Sequence, residues 1–208
     1  METLVSYECG YRTNPTKDSS IDLAAFYNHY EGLFNFVLVN GQFFSPAGGI
    51  IDSSLLAVQP QNGGVGDIYG VELAAQWKPL SSLRLNFSYT YQDYDQNMVM
   101  ASNIESGAPP PHNLVNGRVY FDPVSEVELN SSVYFTDTTY MYDPLDHTHI
   151  VPSYWRWDMG AAWKPGEGVR WEVGATDLEG GHAETLPSAY VDPAQVVPSI
   201  YSRISLEF

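Results

Sequence analysis

The side chains best suited to chemistry gather in one short stretch, where Asp143, Asp146, His147 and His149 offer carboxylate oxygens and imidazole nitrogens, a donor set for a transition metal. His147 and His149 alternate, so an extended backbone would turn both rings to one side. No second motif supplies the ligands that would close a coordination shell. A hydrophilic loop that happens to hold two histidines is the preferred reading, and the four residues stand as weak metal candidates. There is no Gly-rich phosphate loop, no Cys-x-x-Cys pair and no Ser nucleophile elbow, and the paired carboxylates Asp93 and Asp95 lie near a strand end. No catalytic residue, cofactor site or cofactor is expected, and the chain is read as a non-enzyme.

Period-two alternation shows what must position these residues. Leu83, Leu85, Phe87, Tyr89 and Tyr91 are apolar or aromatic, while Arg84, Asn86, Ser88, Thr90 and Gln92 between them are polar. This is the pattern of a long strand with two unlike faces. Trp155 to Trp163, Val169 to Ala175 and Tyr69 to Trp77 alternate in the same way, with weaker versions in Val5 to Tyr11, Ile21 to Tyr27, Val115 to Phe121, Val127 to Phe135 and Ile200 to Phe208. The reading is all-β, with about nine strands and no convincing helix.

The 208 residues carry 9 Lys+Arg against 25 Asp+Glu, a formal net charge of −16. A balance this acidic excludes a surface built to neutralise phosphates, so nucleic acid is not a partner. No apolar run approaches the roughly 18 residues of a spanning helix, which excludes helical membrane proteins but not β-barrels. With aromatics at 14%, the chain is unlike an acidic disordered segment. Cys9 has no second cysteine to pair with, and the start lacks the basic and apolar regions of a signal peptide.

A repeat joins the strands. Trp77-Lys78-Pro79 followed by Leu83, Phe121-Asp122-Pro123 followed by Val127, and Trp163-Lys164-Pro165 followed by Val169 share the pattern aromatic-x-Pro-x-x-x-aliphatic. The proline is expected to end each strand, because it brings no N–H to the ladder, and the polar residues after it to form a tight turn. Asn14 to Ser19 is a fourth such turn. The opposite connections are long and rich in Gly, Pro, Asn and Ser, from about Phe36 to Gly66, Gln96 to Pro111, Met141 to Pro152 and Glu179 to Ser199. Short turns at one end and long loops at the other are the sidedness of an outer-membrane barrel. Trp77, Phe121 and Trp163 then fit an aromatic girdle at the turn end.

Tyr7-Glu8-Cys9-Gly10-Tyr11-Arg12, Ala24-Ala25-Phe26-Tyr27-Asn28-His29-Tyr30, Tyr69-Gly70-Val71-Glu72-Leu73, Val151-Pro152-Ser153-Tyr154 with Trp157-Asp158, and the closing Ile204-Ser205-Leu206-Glu207-Phe208 follow in an order that resembles the C-terminal part of TonB-dependent outer-membrane receptors. Gly174 to Leu178 with His182-Ala183-Glu184 is similar to the segment before the family's last strand, with Asp177 where Asn is usual. The likeness runs over residues 1–208. It implies an antiparallel transmembrane β-barrel segment, an incomplete barrel with short periplasmic turns and long extracellular loops, placed in the outer membrane of a Gram-negative bacterium. Such receptors are similar in having a twenty-two-stranded wall, an N-terminal plug and a TonB box, and neither plug nor box is visible here.

The resemblance implies uptake of a siderophore, metal complex, vitamin or similar scarce ligand. The implied partners are outer-membrane lipid, the missing plug and N-terminal barrel, TonB through them, and the barrel assembly machinery, whose signal resembles Ile204, Leu206 and Phe208. Glu72, Arg84, Arg118, Arg156, Asp158 and Arg170 are the expected lumen-facing residues. The four long loops hold no Lys or Arg, so they are not expected to form an anion-capture surface. The alternative is a stand-alone soluble or oligomeric β-sheet binding or adhesion protein. A soluble sandwich would pack the aromatic residues between two sheets.

Overall fold

The computed structural model describes residues 1–38, 58–95, 110–143, 147–184 and 195–207. Nine strands form one antiparallel sheet: β1 (Thr3–Thr16), β2 (Ser19–Leu38), β3 (Val58–Leu80), β4 (Leu83–Tyr94), β5 (Asn113–Val124), β6 (Val127–Thr136), β9 (Tyr154–Gly166), β10 (Val169–Thr176) and β13 (Ser199–Leu206). Two short hairpins interrupt the numbering, β7 (Thr139–Asp143) with β8 (His147–Val151), and β11 (His182–Ala183) with β12 (Gln195–Val196). In the sheet each strand pairs with the strand before and after it in sequence, once the two hairpins are set aside. Among the described residues the sheet does not close, and β1 and β13 are its edges.

All nine expected strands are therefore present in the expected order, and the differences lie at their ends. Phe36 to Gly66 is not a loop throughout, because β2 runs on to Leu38 and β3 starts at Val58, with Val37 opposite Gln59 and Phe36 opposite Pro60. The stretches Met141 to Pro152 and Glu179 to Ser199 contain the two hairpins. No second sheet covers the nine-stranded one among the described residues, and only Tyr94, Val151 and Ala162 are buried apolar residues. A soluble sandwich would need the opposite, a dry layer between two sheets.

The prolines do not end their strands. In the ladder of β3 with β4, Trp77 pairs with Leu85 and the next pair is Leu80 with Leu83, so Lys78 and Pro79 fall in a register irregularity. Phe121 with Leu129 is followed by Val124 with Val127, and Trp163 with Trp171 is followed by Gly166 with Val169. The irregularity spares the proline from supplying a ladder N–H, which is how a strand tolerates it. The turns that follow are two residues long: Lys17–Asp18, Ser81–Ser82, Ser125–Glu126 and Glu167–Gly168. Gly168 sits at φ 72°, a left-handed conformation that glycine adopts without penalty.

The residue before each of these prolines has a second task. The backbone N–H of Lys78 donates to the carbonyl of Asp18 at 2.8 Å, that of Asp122 to Ser82 at 2.8 Å, and that of Lys164 to Glu126 at 2.8 Å. Glu207 completes the series by donating to Gly168 at 2.8 Å. Each turn is thereby tied to the strand that follows its hairpin, and the four turns are linked along one rim. Asp122→Pro removes one tie and should cost about 0.5–1.5 kcal/mol, the net worth of a hydrogen bond, whereas Asp122→Ala should change stability by less than about 0.5 kcal/mol. Denaturant unfolding of both variants in detergent would check this, and equal effects would show that the tie carries no weight.

Candidate functional site

The pairing register sorts the side chains into two sets. Glu72 lies opposite Ala24 and Thr90, Asn86 opposite Gln76 and Arg118, Ser132 opposite Arg118 and Asp158, and Tyr134 opposite Asn116 and Arg156. Directly paired residues point to the same side of a sheet, and alternate residues of a strand return to that side. Glu72, Arg84, Arg118, Arg156, Asp158 and Arg170 consequently share one face. Trp77, Phe87, Phe121, Val133, Met159, Trp163 and Trp171 share the other, and all of them are exposed.

On the polar face the cations are matched locally. Arg12 pairs with Asp22, opposite it in the ladder. Arg84 lies over the Tyr120 ring at 4.3 Å, and Arg118 donates to the Tyr134 hydroxyl at 3.0 Å. Arg156 holds Asp158 with Nε at 3.1 Å and its terminal nitrogen at 2.9 Å, a two-point grip that fixes both planes. Near the turns Glu128 accepts from Lys164 and, at 3.0 Å, from Arg170; Arg170 also reaches Glu172. Glu172 in turn accepts from Arg203 at 2.9 Å and from the Tyr201 hydroxyl at 3.1 Å. The Tyr201 ring lies flat across Gly174, where a Cβ would come within 2.5 Å of it. Glu172 was expected on this face with Arg170, whereas Glu128 and Arg203 were not among the expected residues. The visible signal was the Arg170-x-Glu172 spacing, which sets opposite charges on one face of a strand.

The other face has a polar boundary at its loop end. Tyr27 donates to Asp67 at 2.7 Å, and His29 meets the same oxygen at 2.7 Å. Tyr69 donates to Asp93 at 3.3 Å, Tyr89 to Asn113 at 2.7 Å, and Asn113 to Asp137 at 2.6 Å. Beyond the end of β6, the Asn113 amide and then the Thr138 N–H hold the Asp137 carboxyl below its usual range. From Trp77 to Asp67, strand rise of about 3.3 Å per residue gives ~33 Å, which a tilt of ~40° reduces to a height of ~25 Å. The apolar band of a membrane barrel has that height. Trp157, inside the band, turns its indole N–H onto Ser131 at 2.7 Å, and Trp171, opposite Trp163 at the turn end, turns its own onto Ser202 at 2.8 Å.

The remaining expected residues are scattered. Asp143 pairs with His147 and Met141 with His149 in the β7–β8 ladder, while Asp146 lies outside the described residues. Ile204 and Leu206 are exposed on edge strand β13, opposite Trp171 and Val169, and Phe208 lies outside the described residues.

Glu172 ties β10 to the edge strand through charged side chains. Glu172→Ala leaves Arg170 and Arg203 without this acceptor and should lower stability by about 1.5–3 kcal/mol, the range for charge-assisted hydrogen bonds. Arg203→Ala should cost less, because Glu172 keeps Arg170. Urea unfolding in detergent would measure both, and an equal or reversed order would contradict the placement of Glu172 at the hub.

Residues 1–178 match the family model described as TonB dependent receptor-like, beta-barrel. Among the curated proteins no match is found. Solved structures with the same fold include a mutant of the ferric enterobactin receptor PfeA from Pseudomonas aeruginosa, at 15% identity and a TM-score of 0.76, covering 100% of this chain and 31% of that one. The ferric-catecholate import receptor Fiu from Escherichia coli K12 matches at 10% identity and a TM-score of 0.72, over 100% of this chain and 28% of Fiu. The FrpB iron transporter from Neisseria meningitidis matches at 12% identity and a TM-score of 0.72, over 100% of this chain and 30% of FrpB. This chain thus spans about a third of the length of the structures it resembles. With its strands, faces and boundary rows in register and the family model over most of its length, the chain belongs to the TonB-dependent receptor β-barrel family.

Proposed function

We propose that residues 1–208 form the C-terminal part of the barrel wall of an outer-membrane receptor that imports a scarce nutrient at the expense of energy delivered through TonB. The observation that carries this reading is the open sheet with two unlike faces, one an apolar band ~25 Å high between the Trp77, Phe121 and Trp163 row and the Asp67, Asp93 and Asp137 row. That face meets lipid. The opposite face, with Glu72, Arg84, Arg118, Arg156, Asp158 and Arg170, lines the lumen and meets the plug. Edges β1 and β13 are where the rest of the wall joins, since single-chain bacterial barrels have even strand numbers and a nine-stranded one would not close. Ile204, Leu206 and Phe208 are the proposed signal for the assembly machinery. Transport and not catalysis is the proposed role, in keeping with the receptor family to which the chain belongs.

Two measurements test the reading. Phe87→Lys places a charge near the middle of the lipid-facing band and should cost about 2–4 kcal/mol in a bilayer. Thr90→Lys, on the other face and opposite Glu72, should cost less than about 0.5 kcal/mol. Similar costs for the two, or a soluble monomer that melts cooperatively without detergent, would overturn the membrane assignment.

The described basic residues lie in strands or in the Lys17–Asp18 turn, and residues 39–57, 96–109, 144–146 and 185–194 contain none. The outer loops are therefore proposed to leave anion capture to other parts of the barrel, or to serve a neutral or cationic ligand. In the receptor containing this wall, deleting residues 96–109 should leave binding of a triply anionic ferric siderophore within about twofold, a difference of ~0.4 kcal/mol. Loss of that binding would refute it.

A further inference from the structure

The polar face has a recess near the turns, where β2 to β5 run side by side. Its volume is about 730 Å³, and its lining includes Arg12 and Arg118. The register accounts for its shape. Asp22, Ala74, Ser88 and Asn116 form one row across the strands, and Ser20, Gln76, Asn86 and Arg118 form the next. Ala74 and Ser88 are short, so the floor lies low between longer neighbours. Strands β2 to β5 are paired on both sides and spend their backbone N–H and C=O groups in the ladders, so what the recess offers is side chains.

Those side chains hold more donors than acceptors. Arg12 is paired with Asp22, and the two charges cancel. Gln76 donates to the Asn86 carbonyl oxygen at 3.1 Å, which leaves the Asn86 NH2 group as a donor. Arg118 donates to the Tyr134 hydroxyl at 3.0 Å, and its Nε is buried with no acceptor. No carboxylate lies within ion-pair distance of Arg118 among the described residues. Arg156, Lys164, Arg170 and Arg203, by contrast, each hold one. A half-buried guanidinium without an anion is costly, and its fork of N–H groups matches the two oxygens of a carboxylate. The recess therefore carries the net charge of Arg118 in a chain whose total is −16.

We propose that this recess seats a carboxylate side chain of the plug, with Arg118 as its cation and the Asn86 and Asn116 amides as flanking donors. The inference deepens the proposed function and rests on its reading of this face as lumenal. Position selects the plug over a transported ligand. Gln76 stands next to Trp77 in the turn-end row, whereas Asp67 of the loop-end row lies ~30 Å away along β3 at about 3.3 Å per residue. A ligand captured at the loops starts from that far end, while a domain filling the lumen touches this one. Shape favours a peptide as well. From Arg12 on β1 to Arg118 on β5 the recess crosses ~19 Å at about 4.8 Å per strand, the length of roughly five or six extended residues.

The test uses the receptor containing this wall, with the photo-cross-linker p-benzoylphenylalanine placed at Asn116 in one version and at Thr90, on the same face toward the loops, in another. Mass spectrometry identifies what each position touches. From Asn116 the expected product is a plug peptide that contains Asp or Glu. Arg118→Gln should then speed amide hydrogen exchange of that peptide by about tenfold or more, since a charge-assisted hydrogen bond is lost, and Arg118→Lys should have a smaller effect. Changing the plug carboxylate to its amide should act like Arg118→Gln, with no further gain in the double variant. Heat-dependent gel mobility checks that each barrel is folded, and the plug variant carries the same expectation should Arg118→Gln fail to fold. A cross-link from Asn116 to a peptide without a carboxylate, to the transported ligand or to another protein would overturn the proposal. So would unchanged exchange in the plug variant or additive effects in the double variant. A plug cross-link from Thr90 with none from Asn116 overturns the recess alone, whereas none from either position overturns the lumenal reading and the proposal together.

Discussion

A sheet that lies in hydrocarbon must pair its backbone N–H and C=O groups with its own neighbours, because the surroundings offer no water to do so. Under the membrane placement proposed above, the rest of this structure follows from that constraint. With only three buried apolar residues described, the chain is held by its ladders and not by a side-chain core. The ladders fix the register, the register fixes which side chains share a face, and the faces then differ as sharply as their surroundings do. At β1 and β13 the pairing stops, and these two edges are where the wall is incomplete.

The same logic explains where charge sits. Most basic residues of the polar face are matched at short range: Arg12 with Asp22, Arg156 with Asp158, and Lys164, Arg170 and Arg203 with Glu128 and Glu172. The basic residues are used in the sheet and its turns, which leaves residues 39–57, 96–109, 144–146 and 185–194 without any. On the apolar face the acids are confined to the loop-end row, where tyrosine hydroxyls and His29 meet them. Tyrosine suits such a border because its ring is apolar and its hydroxyl is not.

The nine strands were legible because two-faced strands write their alternation directly into the chain, as in Leu83 to Tyr91 and Trp155 to Trp163. The strand ends were not. The extension of β2 to Leu38 and β3 from Val58 lies past the stretch in which the sequence alternates, so the pattern that marks a strand fades while the ladder continues. Pro79, Pro123 and Pro165 were read as stops because proline lacks a donor, yet a local irregularity excuses each from donating. The six expected polar-face residues share one face because parity alone decides it. Glu128 and Glu172 could not be recognised as hubs, since what makes them so is the arrival of Lys164 and Arg170 at Glu128 and of Arg203 at Glu172 from other strands. The approach of His182 Nδ1 to within 3.3 Å of Asp177 Oδ1 was likewise hidden. The departure from asparagine at position 177 was visible, but its burial was not.

The rim formed by Asp18, Ser82, Glu126 and Gly168 with the donors Lys78, Asp122, Lys164 and Glu207 has a consequence for how the wall responds to damage. Along its backbone each strand of the sheet is paired only with its immediate neighbours, and each turn is tied only to the next hairpin. Such an arrangement behaves as a one-dimensional array, in which stability is close to a sum of unit and nearest-neighbour terms. Loss of a terminal strand removes one set of terms and leaves the others standing, whereas a break in the middle divides the array into two shorter ones. The natural unit of gain or loss in this wall is therefore the hairpin with its tie, and lengthening or shortening by that unit preserves both the sidedness of the turns and the parity of the faces.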